Sequence, residues 1–229
     1  MFKLKKSNNN SVNILTLCIV WSFCWIFTYS FADIILKPLN IDYQSNYFIL
    51  IFYFLVMTIL SIFIFKSEVL ILKEVKIFNY HLMIILCLFI VLTIYFGLQI
   101  PITDGKILNI KKSGFLYPLL TYQTALSKAF DIIFQQTLIL ILLRNLTNFY
   151  NNKINVIKIF GTIFFIIHIP LFFTMSYTAL LFIIPSMIAG FIFSYLIIYF
   201  KNGIIYSVST HMVFYIIIGC ILRSFNFDN

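Results

Sequence analysis

Residues 47–65 read YFILIFYFLVMTILSIFIF, nineteen positions without a charge and without any alternation of polar and apolar side chains. At roughly 1.5 Å of rise per residue a helix of this length crosses most of the ~30 Å of hydrocarbon in a bilayer. Lipid offers no water to the backbone, so a spanning segment must satisfy its N–H and C=O groups internally, as a helix or in a closed barrel. Barrel strands alternate and this run does not, so it reads as a transmembrane helix.

Six further runs of the same kind lie near residues 14–31, 78–100, 125–143, 157–175, 178–200 and 204–222. Between them stand ordinary turn residues, such as Pro101-Ile102-Thr103-Asp104-Gly105 and Lys201-Asn202-Gly203. The whole composition agrees: 62% of residues are apolar, 10% are charged and the mean hydropathy is +1.03. A soluble chain of 229 residues could not cover its surface with so few charges. The expected fold is all-α, a polytopic transmembrane helical bundle of about seven spans. Lys3, Lys5 and Lys6 precede the first run, which ends in Ser30-Phe31-Ala32 as a signal peptide would. Its length and its Trp21 and Trp25 favour an uncleaved first span.

The net charge of +9 does not mark a nucleic-acid binder, because the basic residues are scattered between the apolar runs. They read as topology signals and as contacts to anionic membrane lipids. With the N-terminus in the cytoplasm that side holds ten basic residues and the far side five, which favours an N-in arrangement. Lys106, Lys111 and Lys112 sit on the wrong side in this scheme, and a re-entrant or amphipathic segment over residues 101–124 would explain them. The four cysteines, Cys18, Cys24, Cys87 and Cys220, lie inside apolar runs without paired spacing and read as packing thiols.

Polar groups at membrane depth are costly, so each is a candidate for function. They concentrate in the second half of the chain: Lys128, Asp131, Gln135 and Gln136 on the fourth run, His168 on the fifth and His211 on the seventh. Counted from the cytoplasmic ends, Gln136, His168 and His211 fall at about 12, 17 and 12 Å of depth, which predicts one interior site. Thr124, Lys128, Asp131 and Gln135 form one helical stripe that should face protein. Lys128 and Asp131 can neutralise each other three residues apart, or Asp131 can serve as a working carboxylate. His81 sits near the start of its span, where a polar ring costs little. Two histidines without a third ligand make a poor zinc site, so no metal and no cofactor is expected.

Three of these positions recur in a known order. Gln135-Gln136, then Phe164-Phe165-Ile166-Ile167-His168, then His211-Met212-Val213-Phe214-Tyr215 resemble the three motifs of the CPBP family, the CAAX-protease and bacteriocin-processing membrane proteins. Pro185, Gly190 and the Asn202-Gly203 turn resemble the run-up to the family's last helix. The resemblance covers residues 116–220, so residues 116–229 are read as a CPBP-like domain and residues 1–115 as a three-span region without motifs. It implies an intramembrane peptidase in which a glutamate and a histidine activate water while other polar groups hold the oxyanion, with Gln135, Gln136, His168 and His211 at the motif positions. Here both glutamates are glutamine, the arginine position is Leu140 and the asparagine position is Tyr215. Glutamine has glutamate's shape but no carboxylate to take a proton. The expected function is therefore that of an impaired CPBP homologue serving as a binding, immunity or regulatory membrane protein, with a peptide or membrane-protein partner in its polar site. Two alternatives stand beside it: a working endopeptidase using His168, His211 and Asp131, and a transporter or channel subunit whose polar residues form an ion path.

Overall fold

A computed structural model describes residues 14–65, 80–100, 120–175 and 179–224 of the chain. Among these residues there is no strand. The helices are α1 (Ile14–Phe31), α2 (Tyr47–Ile64), α3 (Tyr80–Gln99), α4 (Tyr122–Phe149), α5 (Lys153–Ile166), the one-turn α6 (Leu171–Met175), α7 (Leu180–Tyr199) and α8 (Gly203–Ser224). With α5 and α6 counted together, seven helical segments among the described residues are long and apolar enough to cross a bilayer. The chain is an integral membrane protein built as an all-α bundle. The basic segment before the fourth span lies almost wholly outside the described residues.

The bundle is organised around α4, which packs against α1, α2, α3, α5, α7 and α8. Of its apolar stretch 72% is buried, against 11–39% for the other six spans. The polar stripe predicted to face protein does so: Thr124, Lys128, Asp131 and Gln135 are all buried. A central helix can carry such groups because its neighbours, rather than lipid, surround them. The helix is also longer than its hydropathy suggests, extending from 122 to 149 instead of 125 to 143. Its start is fixed by a reciprocal cap in which Thr121 Oγ1 accepts from the Thr124 N–H and Thr124 Oγ1 accepts from the Thr121 N–H.

Small residues set how closely the helices approach. A Cβ on Gly190 of α7 would lie 3.1 Å from the Gly161 Cα of α5, so these two backbones touch at the crossing. Leu120, just before α4, fits between Gly97 of α3 and Gly219 of α8, where added Cβ atoms would meet it at 2.0 and 2.6 Å. Arg223 then closes the end of α3 by donating from Nη1 to the carbonyls of Gly97 and Ile100, 2.5 Å each.

One expected span departs from the reading by hydropathy. The fifth was expected as one helix over residues 157–175, but α5 stops at Ile166 and the chain continues in tight turns to α6. Pro170 is the cause. It has no N–H for the Ile166 carbonyl, which accepts from Ile169 N at 3.1 Å instead, and three-residue bonds carry the chain from His168 to Phe173. His168 therefore stands on a break in the helix.

Candidate functional site

The polar residues of α4 divide between two neighbours. Consecutive helical residues project about 100° apart, and Gln135 and Gln136 accordingly take different partners.

Gln135 belongs to a cluster around Asp131 on the side of α1 and α2. Gln135 Nε2 donates to Asp131 Oδ1 at 2.9 Å, and the Tyr29 hydroxyl donates to the same oxygen. Oδ2 accepts from Lys128 Nζ at 2.5 Å and from the Tyr43 hydroxyl at 2.7 Å. An ionised carboxylate has about four lone-pair positions, and here four donors occupy them. The Lys128 ammonium also lies over the Tyr43 and Tyr215 rings, 4.9 and 5.8 Å from their centroids. Asp131 is thus enclosed and neutralised, with no lone pair left to activate water. Tyr215 of α8 borders this cluster through that contact with Lys128.

Tyr29 comes from α1, and Tyr43 comes from the connector that follows it. Asp42 Oδ1 accepts from the N–H groups of Gln44 and Ser45 at 2.7 and 2.6 Å, making a tight turn. Asn40 and Asn46, both in the left-handed region where asparagine is tolerated, bracket it and leave Tyr43 buried. Burial, then the neighbouring Asp131 charge, hold the Tyr43 phenol well above its ordinary range, so it stays a donor. Hydropathy passes over these tyrosines because an aromatic with one hydroxyl reads as apolar. Their signal is only that a buried Tyr hydroxyl needs a partner.

Gln136 faces α8. Its Nε2 lies 3.2 Å from His211 Nδ1, and its Oε1 accepts from the Ser207 hydroxyl at 2.7 Å. The His211 ring stacks on Phe193 of α7, centroids 5.1 Å apart at 29°. Phe193 meets Phe164 edge to face at 6.1 Å, and Phe164 packs on the His168 ring at 4.7 Å. The close crossing of α5 and α7 at their glycines brings these two phenylalanines together. Trp25 of α1 also meets the His168 ring, centroids 5.8 Å apart.

The helix break gives His168 a defined polarity. Its backbone N–H has moved to the Phe165 carbonyl, which frees the Phe164 carbonyl to take the ring's Nδ1 at 2.6 Å. A carbonyl only accepts, so Nδ1 carries the proton and the neutral ring bears its lone pair on Nε2. No described residue hydrogen-bonds that Nε2. Both imidazoles are partly buried.

Of the residues singled out by sequence, the structure joins Gln136 to His211, links His168 to them through Phe164 and Phe193, and puts Gln135 with Asp131 in a separate cluster. Leu140 is half-buried on α4. Ser207, Trp25, Tyr29 and Tyr43 are the contributors that sequence reasoning did not mark. Among the described residues no three His, Cys, Asp or Glu side chains are grouped to hold a metal. Comparison with family models, with curated proteins and with solved structures finds no match.

Proposed function

We propose that this chain is a catalytically silent relative of the CPBP intramembrane proteases. It would serve as a binding, immunity or regulatory protein of a bacterial cell membrane, its N-terminus in the cytoplasm. The observation that carries the reading is the 3.2 Å contact between Gln136 and His211. Positions resembling the family's first and third motifs meet across α4 and α8, yet the group that meets the histidine is an amide. An amide nitrogen has no lone pair for a proton and cannot act as a general base. The carboxylate on the same helix, Asp131, spends its lone pairs on Tyr29, Tyr43, Lys128 and Gln135. What is left is a polar site among aromatic rings, suited to holding the backbone amides of a peptide or membrane-protein segment without cutting it.

One observation favours the second reading, an endopeptidase with an altered catalytic set: His168 Nε2 bears a lone pair that no described residue engages. The enclosed Asp131 argues against the third, since an ion path needs a carboxylate that can release its partners. Proteolysis of membrane-embedded peptides by the purified, lipid-reconstituted protein separates the first two. The wild type should leave them intact, and the triple variant Gln135→Glu, Gln136→Glu, Leu140→Arg should gain cleavage. Cleavage by the wild type that His168→Ala abolishes would overturn the silent reading.

A further inference from the structure

Ser207 departs from its neighbours on α8. Ser209 and Thr210 turn their hydroxyls back to carbonyls of their own helix, at 2.9 and 2.8 Å, the usual habit of helical hydroxyls in membranes. Ser207 instead donates across to α4, to Gln136 Oε1 at 2.7 Å, and both residues are buried. The direction of that bond is fixed by chemistry. Oε1 is a carbonyl oxygen without a proton, so the hydroxyl must donate. With Oε1 engaged, the amide presents Nε2–H to His211, and a nitrogen with protons and no lone pair makes Nδ1 the acceptor. The neutral ring then carries its proton on Nε2.

We propose that Ser207 is a positioning residue for the candidate site. By orienting the Gln136 amide, it commits the His211 lone pair to α4 and leaves His211 Nε2–H as a hydrogen-bond donor. His168, tied through Nδ1–H to the Phe164 carbonyl, is the opposite tautomer. The two imidazoles thus differ in polarity, one offering an acceptor and the other a donor. The group held at His211 is an acceptor, a carbonyl or carboxylate oxygen, rather than a proton source. Turning the amide over would reverse His211, but it would leave the Ser207 proton without Oε1 and oblige it to find a carbonyl of its own helix. A glutamate at position 136 would also reverse it, because a carboxylate can only accept from Nδ1. Glutamine therefore removes a base and, with Ser207, turns the histidine's own lone pair away as well. The substrate consequence rests on the reading of this cluster as a binding site; the tautomer does not.

The test is nitrogen-15 NMR of the histidine side chains in the full chain reconstituted in nanodiscs. With three histidines in the sequence, single-histidine variants assign the signals. In the wild type, His211 should show a non-protonated Nδ1 and a protonated Nε2, with His168 the reverse. Ser207→Ala should give His211 a mixture of the two tautomers, Ser207→Thr should restore the wild-type pattern, and Gln136→Glu should protonate Nδ1. A wild-type His211 protonated at Nδ1 would overturn the proposal. So would a Ser207→Ala spectrum identical to wild type, a Ser207→Thr spectrum like that of Ser207→Ala, or a Gln136→Glu protein that keeps Nδ1 bare. Proteolysis by the wild type would sink the silent reading while leaving this result standing.

Discussion

The two polar clusters on α4 share a helix and lie within two turns of one another, but they are built on opposite principles. Around Asp131 every lone pair of the carboxylate is taken, and the charge of Lys128 sits beside it against two aromatic rings. Around Gln136 no residue carries a formal charge, the hydrogen bonds run in one line from Ser207 to His211, and His168 keeps an uncommitted nitrogen. A closed, charge-paired cluster holds helices together; an open, neutral one leaves hydrogen-bonding capacity for something else. The closed cluster also joins α1, α4 and the α1–α2 connector, so the N-terminal spans contribute more than membrane filling.

That contrast can be broken by substitution. Asp131→Ala should have the largest effect, because it strands the Lys128 ammonium in a buried site; breaking such a pair costs about 3–5 kcal/mol. Unfolding in detergent by a graded denaturant reads this directly, and a loss under 1 kcal/mol would show that Lys128 escapes to water. Adding Lys128→Met to Asp131→Ala should recover part of the loss, since the second change removes the stranded charge.

Tyr43→Phe should cost about 1.5–3 kcal/mol, the range for a hydrogen bond to a charged acceptor. It also carries a pH signature. The phenol is raised above its ordinary value of 10.0 by burial and by Asp131. Its stabilisation is thus fully present below pH 10.0 and is lost as the pH climbs toward its folded-state value. Part of the alkaline fall in stability should therefore be missing from Tyr43→Phe; identical alkaline profiles would contradict the arrangement.

Ser207→Ala should be the mildest, about 0.5–1.5 kcal/mol for one neutral hydrogen bond. If it destabilised as much as Asp131→Ala, the second cluster would be a structural clasp like the first and the contrast would fail.

Much of the fold was legible in the chain. The span at residues 14–31 matches α1, and that at 47–65 differs from α2 by one residue. The stripe of Thr124, Lys128, Asp131 and Gln135 announced its burial through helical spacing. Less legible were the places where one residue overrides hydropathy. Pro170 sits in an apolar run, so an averaged window shows nothing, while its missing N–H ends α5; in the tight turns there the His168 N–H goes to Phe165, and the Phe164 carbonyl is free to orient the ring. The fourth run looked as if it ended at Leu143, but α4 continues to Phe149, so the depth counted from its cytoplasmic end starts inside the helix.

Sequence by itself determined that the chain lives in a membrane and crosses it as helices. Nineteen uncharged residues in a row leave the backbone no other way to satisfy its hydrogen bonds in lipid. It also determined which polar residues had to be hidden from that lipid. Only the tertiary structure decided what each one meets. Gln135 and Gln136 are chemically identical neighbours, and the helical turn of about 100° between them sends one to an enclosed carboxylate and the other to a histidine on α8. The sequence carries no sign of that division, because the partners, Tyr29, Tyr43 and Ser207, come from distant parts of the chain.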